Sequence, residues 1–256
     1  MRINWPTLGL LILLTASAMA NPGHEWVWSN PLPQGSSLTD FSRVGEDIIY
    51  AVGVGGAVLR SEDAGLTWTL LSTGTSAWLT AVDFTDPMTG TVVGEIDTDG
   101  IILRTTDGGL TWQHQEWPLM PWLDDVDFID TDTGVAVGRT GAILWTTDGG
   151  DNWIPQDSGT TTDWIKSVHL FDADTAVAVS TDGRIYRTTD AGETWNHPDS
   201  PTTERLESVD FGDANNGAAA GRNGVMIATQ NGGEFWSLRS SGTDGWLEDV
   251  TLSLIH

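Results

Sequence analysis

Thr146-Thr147-Asp148-Gly149-Gly150-Asp151-Asn152-Trp153 decides the fold, because the same phrase returns at a fixed interval. It stands earlier as Ser61-Glu62-Asp63-Ala64-Gly65-Leu66-Thr67-Trp68 and Thr105-Thr106-Asp107-Gly108-Gly109-Leu110-Thr111-Trp112. It stands later as Thr188-Thr189-Asp190-Ala191-Gly192-Glu193-Thr194-Trp195 and Thr229-Gln230-Asn231-Gly232-Gly233-Glu234-Phe235-Trp236, the last with Asn in place of Asp. The closing tryptophans are 44, 41, 42 and 41 residues apart. Five copies at one period mark a repeat architecture, in which each unit buries its apolar face only against its neighbours.

Working outward from the phrase, each period holds the same smaller pieces. A first short strand is expected at 79–84, 123–128, 165–171, 206–211 and 247–252, and a second at 50–52, 91–93, 135–137, 176–179 and 217–220. A glycine turn follows at Gly56, Gly100, Gly141, Gly183 and Gly224, where Asp99-Gly100, Asp182-Gly183 and Asn223-Gly224 are hairpin signals. A third strand runs through 58–59, 102–103, 143–144, 185–186 and 226–227, and the quoted phrase turns the chain into a fourth. Four antiparallel strands per period make one propeller blade. The phrase has its own local logic: the Asp carboxylate accepts backbone N–H groups of its turn, Gly permits positive φ, and Trp plugs the hairpin.

The expected fold is therefore all-β, a β-propeller of four-stranded blades with five complete repeats ending near Trp68, Trp112, Trp153, Trp195 and Trp236, plus a partial terminal blade. Trp26-Val27-Trp28 reads as an outermost strand and 246–252 as an innermost one, giving 22 strands where a six-bladed ring needs 24. The expectation is a truncated reading of a six- or seven-bladed parent.

Composition narrows function. The chain has 256 residues, 36 Asp+Glu against 11 Lys+Arg, a net charge of −25, 14 Trp and no Cys. That charge repels phosphate backbones and argues against nucleic acid, and the lack of Cys removes thiol catalysis and Cys-ligated metal. Arg2, the apolar run Leu8 to Leu14 and Ala18-Met19-Ala20 read as a secretory signal, too short to span a membrane. The expected division is a signal peptide at 1–20 and a propeller domain at 21–256, exported to the periplasm or outside the cell, without a membrane span once the signal is removed.

Ser/Thr-x-Asp-x-Gly-x-Thr-Trp resembles the Asp-box, or bacterial neuraminidase repeat, of sialidases, sortilin-like receptors, xyloglucanases and the photosystem II stability/assembly factor family. Ala136-Val137-Gly138-Arg139-Thr140-Gly141-Ala142-Ile143-Leu144-Trp145-Thr146-Thr147-Asp148-Gly149-Gly150 and Ser208-Val209-Asp210-Phe211 are most similar to the last of these. The resemblance spans roughly residues 26–252. It implies a non-catalytic scaffold that holds a partner polypeptide during assembly of a membrane complex, in the thylakoid lumen where the source is photosynthetic. It also implies a basic patch, whereas this sequence offers Arg43, Arg139, Arg184, Arg205 and Arg222 scattered through a negative field.

Five residues are candidates for ligand binding. Trp78, Trp122, Trp164 and Trp246 fall 10, 10, 11 and 10 residues after their box tryptophans, and Arg205 holds the equivalent place in the remaining repeat. Propeller topology puts them at the mouth of the central channel, where aromatic rings and Arg suit a peptide or a sugar; wedging between blades is the alternative reading. Asp63, Asp107, Asp148, Asp190 and Asn231 are expected to be structural and to lie at the opposite end. No catalytic residue, metal site or cofactor is assigned. The acids Asp124, Asp125, Asp127, Glu207, Asp210, Glu248 and Asp249 near the inner strands keep a secreted glycoside hydrolase as the competing reading, with a glycan-binding or adhesion module as a third. Against a sialidase, the tyrosines are only Tyr50 and Tyr186, and Arg184-Ile185-Tyr186 stands inside a repeat. Glu95-x-Asp97-x-Asp99-Gly100 begins like a calcium loop but lacks its final Glu, and His169 replaces the Asp seen at Asp83, Asp127 and Asp210.

Overall fold

The computed structural model describes residues 36–115 and 121–252; the signal expected at 1–20 and the strand expected at Trp26-Val27-Trp28 lie outside the described residues. Five antiparallel meanders follow one another. The first blade is β1 (Leu38–Val44), β2 (Ile48–Gly53), β3 (Ala57–Ser61) and β4 (Thr69–Ser72). The second is β5 (Trp78–Phe84), β6 (Gly90–Ile96), β7 (Asp99–Thr105) and β8 (Gln113–Gln115). The third is β9 (Leu123–Phe128), β10 (Gly134–Gly138), β11 (Ile143–Thr146) and β12 (Ile154–Pro155). The fourth has β13 (Ile165–Leu170), β14 (Thr175–Ser180) and β15 (Ile185–Thr189). The fifth is β16 (Leu206–Phe211), β17 (Gly217–Gly221), β18 (Val225–Thr229) and β19 (Ser237–Ser240).

The core lies in the seams between blades. Tyr50, Val52 and Val58 of the first blade pack on Leu79, Val82 and Phe84 of the second, and Val135, Val137, Ile143 and Trp145 of the third pack on Ile165, Val168 and Leu170 of the fourth. Second strands are therefore buried on both faces, which is why they read as near-continuous Val/Ala runs. Glycine opens β6, β10 and β17 because Phe84, Phe128 and Phe211 lie flat over Gly90, Gly134 and Gly217, where an added Cβ would overlap the rings.

Four details differ from the sequence expectation. The innermost strand of the first blade, β1, has no counterpart among the expected strands. The hairpin of the second blade does not turn at Asp99-Gly100. Its turn is Asp97-Thr98, with Asp97 at φ 53°, and Gly100 sits inside β7 opposite Glu95. Asp tolerates the left-handed region, so the turn closes one pair earlier and the strands run longer. In the fourth blade the outermost strand is a single bridge from Arg187 to Asn196, because Pro198 and Pro201 cannot donate to a ladder. Finally, 247–252 forms no strand. It lies along β16, with Val250 N–H on Ser208 Oγ at 3.3 Å and Leu252 N–H on Asp210 Oδ2 at 2.6 Å, but among the described residues no second strand pairs with it.

Side chains sew the innermost strands together. Asp40, Asp83, Asp125 and Asp127 accept the N–H groups of Val82, Phe128, Val168 and Leu170 in the next blade, and Ser42 and Ser167 accept those of Phe84 and Val209. An innermost strand has one edge with no neighbouring strand, and these acceptors satisfy N–H groups that the ladder leaves unpaired.

Candidate functional site

The repeats put two kinds of corner at opposite ends of each blade. At one end the box turn docks on the turn between the first and second strands: Ala64 N–H meets Asp47 O, Gly108 N–H meets Met88 O and Gly149 N–H meets Asp132 O, each at 2.8 Å. In the third box Asp148 Oδ1 accepts from Thr146 Oγ1 and Asn152 N–H, and Oδ2 accepts from Asn152 Nδ2, at 2.9, 2.8 and 2.7 Å. Asp63, Asp107 and Asp190 repeat the pattern with Thr67, Thr111 and Thr194, and Asn231 keeps its bond to Phe235 N–H at 3.0 Å. Those bonds hold the Asp63, Asp107, Asp148 and Asp190 carboxyls below their ordinary pKa. Each box spends its carboxylate on its own turn.

At the other end, the turn after the second strand docks on the residue that precedes the innermost strand. Arg139 N–H meets Trp122 O, Thr181 N–H meets Trp164 O and Arg222 N–H meets Arg205 O, each at 2.9 Å. This end carries all five candidate binding residues. Four of them share one strip. The Arg139 guanidinium lies 3.8 Å from the Trp122 ring centre and 4.2 Å from that of Trp164. Arg205 lies 4.9 Å from Trp164 and 6.0 Å from Trp246, and Arg222 lies 4.2 Å from Trp246. Three indoles and three guanidiniums thus alternate across successive blades, each ring offering its negative face to a cation. Trp78, 49% exposed, stands one blade before the strip.

Carboxylates brace the strip. Asp124 accepts from Trp164 Nε1 and pairs with Lys166 Nζ at 2.6 Å. Glu207 pairs with Arg205, accepts from Trp246 Nε1 at 3.0 Å and lies 3.9 Å from Arg222. Arg139 has Glu95 at 3.9 Å. The arginines that the sequence left scattered are therefore gathered in part: Arg139, Arg205 and Arg222, with Lys166, form one patch, whereas Arg184 is bound to buried Asp163 beside Tyr186. Arg139 and Arg222 each follow the glycine that ends a second strand, a register signal present in the sequence but weak without the fold.

The innermost strands are chemically distinct. Burial pushes Asp40 up to about 8, Asp83 up to about 7, and Asp125 and Asp127 up to about 6. His169 Nδ1 lies 3.2 Å from Asp210 Oδ1. Burial opposes a charge on His169, but Asp210 and Asp127 outweigh it and its pKa is raised. Among the described residues no cluster of His, Asp and Glu has the form of a metal site. Asp124 and Glu207 are each engaged by a cation and an indole, and Asp125, Asp127 and Asp210 by backbone N–H groups.

Fold and boxes together define an Asp-box β-propeller that carries a Trp/Arg strip at the end away from its boxes. The chain belongs to the family described as photosynthesis system II assembly factor YCF48, whose model matches residues 67–200. No curated protein matches it in sequence. Among solved structures it is similar to YCF48 bound to D1 peptide, at 22% identity and a TM-score of 0.56, over 80% of this chain and 81% of that one. YCF48 from Cyanidioschyzon merolae matches at 20% identity and a TM-score of 0.56, over 82% and 86%. A GH74 enzyme from Niastella koreensis matches at 19% identity and a TM-score of 0.63, over 80% of this chain but 38% of the enzyme. At such identities these likenesses speak to the fold.

Proposed function

We propose that this chain is a non-catalytic, exported scaffold that holds a partner polypeptide on its Trp/Arg strip. The observation that carries the reading is the alternation Trp122–Arg139–Trp164–Arg205–Trp246–Arg222, which concentrates cations and indoles in a chain of net charge −25. Trp and Arg are the side chains that most often anchor protein interfaces, and here they already stack on one another and are braced by Asp124 and Glu207. Membership of the YCF48 family and the fold likeness to a YCF48 that binds a D1 peptide support a polypeptide partner. Export, to the periplasm, the cell exterior or a thylakoid lumen, is supported by Arg2, the run Leu8 to Leu14 and Ala18-Met19-Ala20.

The competing reading, a secreted carbohydrate-active enzyme, is favoured by the fold likeness to GH74 enzymes. Against it, the strip's Asp124 and Glu207 are already neutralised by Lys166 and Arg205 instead of being poised as acid and base. The test pairs affinity capture from the source organism's exported fraction with a turnover assay on a glycan panel. Capture of one defined polypeptide, lost when Trp122 and Trp164 become Ala while the melting temperature holds, supports the scaffold. Glycan hydrolysis that vanishes on Asp124→Asn or Glu207→Gln overturns it in favour of the enzyme.

A further inference from the structure

The strip contains its own template for a neighbouring site. The second to fifth blades place Trp78, Trp122, Trp164 and Arg205 at or just before their innermost strands, Trp246 precedes the segment that lies along β16, and each of these blades has one further residue directly after the Gly or Ser near the end of its second strand. Glu95, Arg139, Thr181 and Arg222 hold that second position, following Gly94, Gly138, Ser180 and Gly221. Arg139 shows what the position does: its guanidinium lies between the indole of its own blade, Trp122, and that of the next, Trp164.

One blade earlier the same frame recurs with the charge reversed. Trp78 faces Glu95 in the β5–β6 ladder. The Thr80 hydroxyl donates to Leu123 O at 2.8 Å, pinning the start of β5 to the start of β9 directly beside Trp122. Glu95 points across this seam, since its Oε2 lies 3.9 Å from Arg139 on the third blade. Glu95 thus stands opposite Trp78 and reaches the Arg139 guanidinium that lies on Trp122, a carboxylate at the position where the next interval has a guanidinium. Trp78 is 49% exposed, so its ring is open to a partner.

We propose that the interval between Trp78 and Trp122, with Glu95 at its side, binds the guanidinium of an arginine side chain supplied by the partner polypeptide. Two ring faces and a carboxylate match that group's flat, delocalised charge and its fork of donors. The overall negative charge of the chain steers a basic segment towards the protein in the same sense. The assignment rests on the reading that this end receives a polypeptide, and adds to it the chemistry of one contact.

The experiment uses N-acetyl-arginine amide as probe, titrated into the full chain, with the indole Nε1–H resonances of Trp78 and Trp122 assigned through W78F and W122F. The expected result is a saturable shift of those two resonances, with a dissociation constant on the order of millimolar. Glu95→Gln should weaken it about fivefold or more, and Glu95→Arg should abolish it by placing the chain's own guanidinium between the rings. N-acetyl-leucine amide should give no such shift. Circular dichroism and thermal melts of the variants establish that they fold. No saturable shift, or a shift indifferent to Glu95→Gln in a folded variant, overturns the site. Polypeptide capture through Trp122 and Trp164 without a probe shift would remove the arginine site and leave the scaffold standing. A probe shift with no captured polypeptide would do the reverse.

Discussion

Asp40 Oδ2 accepts the backbone N–H of Val82 at 2.8 Å, so a side chain of the first blade caps the inner edge of the second across 42 residues of sequence. Burial pushes Asp40 up to about 8, so near neutrality much of the population carries a proton on this carboxyl. Asp40→Asn keeps an acceptor of the same shape without a charge, and should be neutral to mildly stabilising. Asp40→Leu leaves the Val82 N–H unsatisfied and should cost roughly 1–3 kcal/mol. Urea unfolding of the two variants side by side checks the contrast, and equal losses would show that the bond to Val82 contributes little.

The inner-strand carboxyls set the direction of the pH response. Asp40 at about 8, Asp83 at about 7, and Asp125 and Asp127 at about 6 all stand above the ordinary 3.8, so the folded state binds more protons than the unfolded chain between about pH 4 and 8. Stability must therefore fall as pH rises through this window. The box aspartates run the other way, but their lowered pKa values place their loss below pH 4. Moving from pH 8 to pH 5 should raise the melting temperature, by roughly 4–8 °C if the net gain is on the order of 2 kcal/mol. A melting temperature that falls steadily on acidification across that range would contradict the assignment.

Gly138 has an extended backbone, with φ −176°, so its requirement is space and not a left-handed conformation. An added Cβ would overlap the Trp122 carbonyl oxygen, and the same overlap recurs at Gly94 with Trp78 and at Gly221 with Arg205. The neighbour is backbone and cannot rotate away. Gly138→Ala should cost roughly 3 kcal/mol or more and shift Trp122 within the strip. Thermal denaturation gives the first quantity, and intrinsic tryptophan emission gives the second.

Within a box, Asp148→Ala removes the acceptor of three hydrogen bonds at once and should cost about 1–2 kcal/mol. Asp148→Asn should cost less, because Asn231 already serves the fifth box. Partner capture should be unchanged in both variants once folded, since the box lies at the far end of the blade from the strip. Coupled loss of capture at unchanged stability would tie the box to function.

The boxes and the strands that flank them were legible in the sequence because each is local. Asp148 finds its partners between Thr146 and Asn152, so repetition of the phrase gives the hairpin, its period and the all-β fold. The same register put Trp78, Trp122, Trp164, Arg205 and Trp246 at the end opposite the boxes. Local signals misled where a neighbour was decisive: Asp99-Gly100 pairs inside a ladder because Asp97 turns first, and among the described residues 247–252 meets no second strand to make it one.

What only the tertiary structure decided is which distant residues meet. Arg139 belongs to one repeat and Trp164 to the next, and nothing in their own phrases orders them to stack. Lys166 reaches Asp124 across 42 residues, and Asp125 reaches Val168 across 43. Such contacts depend on the angle at which one blade docks on the next, which is set by the sizes of seam residues such as Val137, Ile165 and Leu170 acting together. A period can be read from a chain because it is written in bonds a few residues long. The patch of Arg and Trp cannot, because it exists only once apolar packing has fixed how successive blades dock.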